Sequence, residues 1–302
     1  MVQCDAEDAQ SQPTILEAAD LELQNEIRKI RTPPAYDDFL GIVSQGSVHT
    51  FDGMRLQVQK QVNLNSVVTH FFWLGSQAVG QPIYQYSLIL VDEQDKMLKV
   101  STDGDFNLET DGKFVLGCEG RLVGKFNAVI SDQQGKKLDL ETSYSGDNWI
   151  GQLLFGRPDN SLGLTYVQSL TPSISMGGKS LYDPAAGTIF NEFCGMYDDG
   201  EHMVVGTKSA EAMKLSYRRT VNPNRVMLTT DVAFDKEMNS TMGLSAQYML
   251  KQSTLNFGVD SNLLIKSMVN AELQPGITMQ LSGEVQHAGG HYRFGYGLTM
   301  GS

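Results

Sequence analysis

The feature that most restricts this chain is a two-residue rhythm of apolar and polar side chains that begins near His49 and persists to the C-terminus. It is clearest at the end, where Tyr292, Phe294, Tyr296, Leu298 and Met300 alternate with Arg293, Gly295, Gly297 and Thr299. Successive side chains of a strand point to opposite faces, so period two marks a β-strand whose faces meet different surroundings. Only Gly301 and Ser302 follow, leaving no later sequence to cover the aromatic face. Lipid is a natural cover when the strand closes a barrel, where every backbone polar group is paired.

The same rhythm recurs upstream. Met54, Leu56 and Val58 alternate with Arg55, Gln57 and Gln59, Tyr84, Tyr86 and Leu88 with Gln85 and Ser87, and Leu138 and Leu140 with Asp139 and Glu141. Further copies occupy 226–234, 242–248, 255–259, 265–273 and 277–285. Asp103-Gly104, Asp111-Gly112, Gln134-Gly135, Asn222-Pro223, Pro275-Gly276 and Gly289-Gly290 read as turns between them. No helical pattern interrupts the series, which excludes a parallel α/β sheet and favours an antiparallel meander. With strands of ~10 residues and turns of ~3, the roughly 250 residues available make about 19 strands, wide enough for an aqueous lumen. The expected fold is therefore an all-β transmembrane barrel over 49–302, preceded by a helical segment over 1–48.

Composition narrows function. Hydrophobic residues make up 41% of the 302, yet the longest stretch without Asp, Glu, Lys or Arg, Gln61 to Val91, is broken by Asn63, Asn65, Gln77, Gly80 and Pro82, so no spanning helix is expected. A net charge of −12 argues against nucleic acid and for cationic partners. Cys4, Cys118 and Cys194 form neither CxxC spacing nor a disulfide framework and read as free thiols in a reducing setting. The acidic N-terminus is expected to be neither a signal peptide nor an Arg-rich transit peptide. Thr14 and Glu17 suit a capping box, with Leu16, Ala19, Leu23, Ile27 and Ile30 at helical spacing until Pro33 and Pro34 stop them. Tyr36, Phe39, Leu40 and Val43 predict a second short amphipathic helix that packs against the rest of the protein.

Catalytic and cofactor signatures are missing. The five histidines lack HExxH or zinc-finger spacing, and His287 and His291 are separated by a Gly-Gly turn. The run Gly117, Gly120, Gly124, Lys125 fails as a phosphate loop, since Glu119 and Phe126 stand at required positions. The alternation instead identifies a polar interior. Arg55, Gln57, Gln59, Asp105, Asn107, Glu109, Asp139, Glu141, Asp231, Lys266, Asn270, Glu272, Gln280, Glu284 and Arg293 are expected to point inward. Carboxylates spread around a pore would hold cationic amphipathic peptides weakly and release them fast. Phe71, Phe72, Trp73, Tyr84, Tyr86, Trp149, Phe155, Tyr166, Tyr182, Tyr292 and Tyr296 suit interfacial girdles or, equally, the core of a soluble sandwich.

The last strand also resembles the C-terminal β-signal of mitochondrial outer-membrane barrels, carried by Arg293, Gly295, Leu298 and Met300. More narrowly, the chain resembles the channel-forming subunits of the translocase of the outer mitochondrial membrane. The resemblance rests on Phe51-Asp52-Gly53-Met54-Arg55, the run His70 to Ser76 with Trp73 and Gly75, Thr102-Asp103-Gly104, Gln168 to Pro172, Val259-Asp260-Ser261-Asn262 and Gly295 to Gly301, in family order. It implies a mitochondrial outer-membrane channel for unfolded precursors with cationic presequences. It also implies receptor and small helical partner subunits, a second copy of the chain, no cofactor, and an N-terminal segment that threads the pore. The strand count matches that of the mitochondrial anion channel, which is a consistency and not an independent prediction. A metabolite porin of that type predicts a net basic lumen. A soluble all-β binding protein predicts apolar faces turned inward.

Overall fold

The computed structural model describes residues 32–45, 48–75, 82–92, 96–116, 120–131, 135–223, 225–237, 239–287 and 289–301, with side chains left undescribed at 40 and 42–45. The helix expected from Thr14, together with Cys4 and Cys118, lies outside these residues. One helix, α1 (Tyr36–Gln45), precedes the strands β1 (Gly53–Asn63), β2 (Ser66–Leu74), β3 (Ile83–Val91), β4 (Met97–Asp103), β5 (Leu108–Leu116), β6 (Leu122–Ser131) and β7 (Gly135–Ser145). Then come β8 (Trp149–Arg157), β9 (Ser161–Thr171), β10 (Ile174–Asp183), β11 (Thr188–Asp198), β12 (His202–Ser209) and β13 (Ala212–Asn222). The series closes with β14 (Val226–Asp235), β15 (Ser240–Met249), β16 (Ser253–Asp260), β17 (Leu264–Gln274), β18 (Ile277–Gln286) and β19 (His291–Gly301).

Each strand pairs antiparallel with the next, and β1 pairs parallel with β19, from Gly53 opposite Gly295 to Gln59 opposite Gly301. An odd number of up-and-down strands leaves the first and last pointing the same way, so one parallel seam is unavoidable. Closure leaves no edge, which is the condition for a sheet to sit in hydrocarbon. Strands of seven to eleven residues suit a tilted bilayer crossing. We call the end where β1 begins the near rim and the end where it finishes the far rim.

The alternation resolves into an outer and an inner wall. Leu153, Phe193 and Phe294, 61%, 66% and 68% exposed, belong to an outward apolar belt that runs round the barrel. A soluble protein would bury such a surface, so this finding overturns the soluble all-β alternative. Buried residues lie on the inner face: Ser87, Ser101, Thr165, Val167, Ser169, Val205, Thr207 and Ser282 among them. Outward aromatics gather in groups. Phe72 stacks obliquely on Tyr84 at 4.8 Å, and Trp149 lies between Tyr144 and Tyr166 at 5.4 and 5.8 Å.

Three local readings are corrected. Asp111-Gly112 is no turn but the middle of β5, where a missing Cβ at Gly112 admits the Phe126 ring, itself stacked on Phe114. Phe71 and Trp73 do not join an outer girdle. They face inward, paired with Gln57 and Arg55. The strand rhythm expected from His49 begins as a strand only at Gly53, because residues 50–51 hydrogen-bond to inner-wall side chains instead of to a neighbouring strand.

The lumen as candidate functional site

The N-terminal segment enters the barrel from the far rim. Thr32 donates its hydroxyl to the carbonyls of Gly146 and Asp147, at 3.4 and 3.1 Å, in the far-rim turn between β7 and β8. α1 then lies on the inner wall of β9–β12. Its Tyr36 and Phe39 are fully buried in a cluster with Val167, Cys194, Met203 and Val205, flanked by Met196. Lys179 on β10 reaches Asp37 at 3.9 Å and stands 5.8 Å from the Tyr36 ring centroid. An apolar patch inside a water-filled tube would be costly if bare, and burial of two aromatic side chains repays several kcal/mol of it.

Past α1 the chain follows the inner wall towards the seam. Val48 is buried close to Gly258 on β16, Thr50 donates to Glu284 Oε2 at 2.7 Å, and the Phe51 amide donates to Ser282 Oγ at 2.8 Å. The Phe51 ring lies on Gly295, where any Cβ would collide with it. Arg55 is sandwiched between Phe51 and Trp73, with its guanidinium carbon 4.2 and 4.1 Å from the two ring centroids, and Trp73 Nε1 donates to the Asp52 carbonyl at 2.8 Å. Gly53, at φ +78°, lies so close to the Gly75 carbonyl that no side chain fits. Three segments far apart in sequence therefore meet at the parallel seam. Each cation–π contact is worth about 0.5–2 kcal/mol, so the sandwich is a clasp on the closure.

The inward set expected from alternation divides on inspection. Arg55, Gln57, Gln59, Glu109, Asp139, Glu141, Asp231, Lys266, Asn270, Glu272, Gln280, Glu284 and Arg293 occupy the inner face by register. Asp105 does not: it sits exposed in the turn after β4, held by its amide to Asp103 Oδ1 at 3.0 Å, and Asn107 bonds the same carboxylate. Asp103, Asp235 and Asp260 each brace a near-rim turn in this way, accepting amides from two and four residues on. His70 faces outward, bonded through Nδ1 to the Tyr84 hydroxyl at 2.9 Å.

Nor are the inner carboxylates of β5 and β7 left bare. On β4–β8 they interlock with bases and amides that alternation alone does not place beside them. Lys99 meets Asp111 at 3.4 Å, Lys125 meets Glu141 at 3.0 Å, and Lys137 meets Asp139 at 2.8 Å. Asn127 donates to Asp111 and Glu109, and Gln152 to Glu141 at 2.8 Å while accepting from Thr165 at 2.8 Å. A recess of about 480 Å³ opens on this network, lined by Lys113, Lys125, Asn127, Asp139 and Glu141. Another of about 340 Å³, lined by Lys214, Asp231, Asp260 and Lys266, opens on β13–β17, and there Ser216 bonds Asp231. Between β18 and β19, beside the seam, Arg293 stands 3.7 Å from Glu284. Among the described residues no three His, Cys, Asp or Glu side chains come close enough to hold a metal ion. A cation reaching Asp111, Asp139 or Glu141 would thus have to displace a lysine already beside it.

Comparison with known proteins fits this architecture. A family model described as eukaryotic porin matches residues 33–295. The chain is 24% identical over 266 residues to the probable mitochondrial import receptor subunit TOM40-2 of Arabidopsis thaliana, covering 82% of this chain and 84% of that one. It is 22% identical to the mitochondrial import receptor subunit TOM40 of Saccharomyces cerevisiae, over 84% of this chain and 73% of its relative. The human homologue is 21% identical, over 83% and 73%.

Proposed function

This chain belongs to the eukaryotic porin family, and from that premise we propose that it is the channel through which unfolded precursor proteins cross the mitochondrial outer membrane. The observation that carries this reading is the likeness, along 82 to 84% of the chain, to relatives named as mitochondrial import receptor subunits in a plant, a yeast and a mammal. The hollow barrel supplies the passage. Extended polypeptide needs weak, repeated contacts in such a conduit, because one tight site would halt it. Glu109, Asp111, Asp139, Glu141, Asp231, Glu272 and Glu284 provide the cation-attracting side of those contacts for amphipathic presequences. A porin performs no covalent chemistry and requires no cofactor for transit. The cargo would be precursors with cationic presequences, the assembly would include receptor and small helical subunits and a second copy of the barrel, and the apolar belt would contact the lipid bilayer.

Planar-bilayer conductance of the refolded protein tests the reading. Addition of a cationic amphipathic presequence peptide is expected to give voltage-dependent block that a scrambled, non-amphipathic peptide does not. Anion-preferring current insensitive to both peptides would replace the import channel with a metabolite porin.

A further inference from the structure

The inner wall opposite α1 carries a second kind of surface. In a ring of nineteen strands the far side from β9–β12 is the seam and its neighbours, and there a group of carboxamides stands towards the far rim from the Arg293–Glu284 pair. Gln247 on β15 stands directly opposite Asn256 on β16, and Asn270 on β17 directly opposite Gln280 on β18. Gly297, with no side chain, separates Gln280 from Arg55 on β1, where Gln57 follows on the same face. Directly paired residues hold their Cβ atoms about 4.5–5.5 Å apart, and the two pairs adjoin on the diagonal, about 7–8 Å apart, since Asn256 stands opposite Met268 and Asn270 opposite Thr254.

What distinguishes this field is its uncommitted hydrogen-bonding capacity. None of Gln57, Gln247, Asn256, Asn270 and Gln280 makes a side-chain hydrogen bond among the described residues, and Asn270 Oδ1 is buried with no partner. Thr69 Oγ1 and Ser245 Oγ, on the inner faces of β2 and β15, are likewise unpaired. On β5–β9, by contrast, Asn127, Gln152 and Thr165 all pair within the wall. The linker at 48–51 covers the near-rim half of the field's strands, at Gly258, Ser282 and Gly295, and leaves the far-rim half open.

We propose that this carboxamide field is a binding track for the main chain of an extended polypeptide, independent of its side chains. Each carboxamide offers one carbonyl acceptor and two N–H donors, which matches the acceptor and donor repeated along a peptide backbone. Being uncharged, the track serves the stretches of a precursor that the carboxylates do not attract. Single neutral hydrogen bonds exchanged with water are worth little net, which keeps the contacts releasable.

The inference rests on the import-channel reading, and the test separates the two. An uncharged polar peptide long enough to span the pore is compared, in single-channel block, with the same sequence N-methylated along its backbone, alongside the cationic presequence peptide. On the wild-type barrel the N-methylated peptide is expected to dwell roughly five- to tenfold more briefly. The combined variant Gln247→Leu, Asn256→Leu, Asn270→Leu, Gln280→Leu, checked for unchanged strand content and open conductance, is expected to erase that difference while retaining block by the cationic peptide. Equal dwell of the two uncharged peptides on the wild-type barrel overturns the track and leaves the channel standing, and needs no variant to fold. A dwell difference that survives in the combined variant also overturns it. Absence of block by any peptide overturns both.

Discussion

The two flanks of the inner wall solve the same problem in opposite ways. On β4–β12 polar groups are consumed by one another or covered: lysines lie against carboxylates, Gln152 bridges Glu141 and Thr165, and the apolar remainder is roofed by α1. On β15–β19 and β1 the carboxamides and the Ser245 hydroxyl stay unpaired among the described residues, and the cation Arg55 is stacked between rings. The first flank resembles a folded core turned inside out, and the second a solvent-facing surface. A pore that must hold its own plug on one side and pass a stranger on the other needs both.

The contrast can be broken most forcefully beneath the helix. Val205→Asp would place a carboxylate under Tyr36 and Phe39, a position 1% exposed, and burying an unpaired charge there costs more than the helix gains by docking. Loss of α1 from the wall is expected, seen as new protease cleavage between residues 31 and 48 and a larger open conductance. Next in size is the clasp. Arg55→Ala removes both cation–π contacts and should destabilise the seam by about 1–3 kcal/mol, read as a lowered thermal midpoint in detergent, with Arg55→Lys recovering only part because an ammonium cannot stack as guanidinium does. Glu141→Gln is expected to leave stability nearly unchanged. It frees Lys125, however, and should shift reversal potential in a salt gradient towards anions. Smallest is Asp147→Asn at the far rim: its contact with Arg121 is at 3.0 Å but exposed, so a change within about 0.5 kcal/mol is expected, and a larger loss would mean that rim pairs, not the inner wall, hold this flank together.

Legibility in the sequence followed the same division. Strands β1, β3 and β14–β19 could be read from alternation because their inner faces are largely polar and their outer faces apolar, the condition under which period two is visible. From β8 to β12 the rhythm blurs at Leu153-Leu154-Phe155, where the inner Leu154 is apolar too, and at Met203-Val204-Val205, where the wall roofed by α1 is apolar as well. A strand stretch apolar on both faces inside a pore is the signal that could have placed the helix. Helical spacing marks Tyr36 and Phe39 as a packing face but does not name their partners. Alternation places the acid Glu141 on the inner face but not its lysine, Lys125, because a cross-strand partner depends on register, which spacing alone does not supply. For the same reason Phe51, Trp73 and Gly295 could be read as separate motifs and not as one clasp.

Counting traverses of the membrane plane gives a last consequence. Nineteen are made by strands and one by the segment that runs from Thr32 through the lumen to Asp52, so the total is even. Thr32 and Gly301 therefore open onto a single compartment. Reporters attached at those two points would share one topology, and a lone hairpin gained or lost elsewhere would leave that parity untouched.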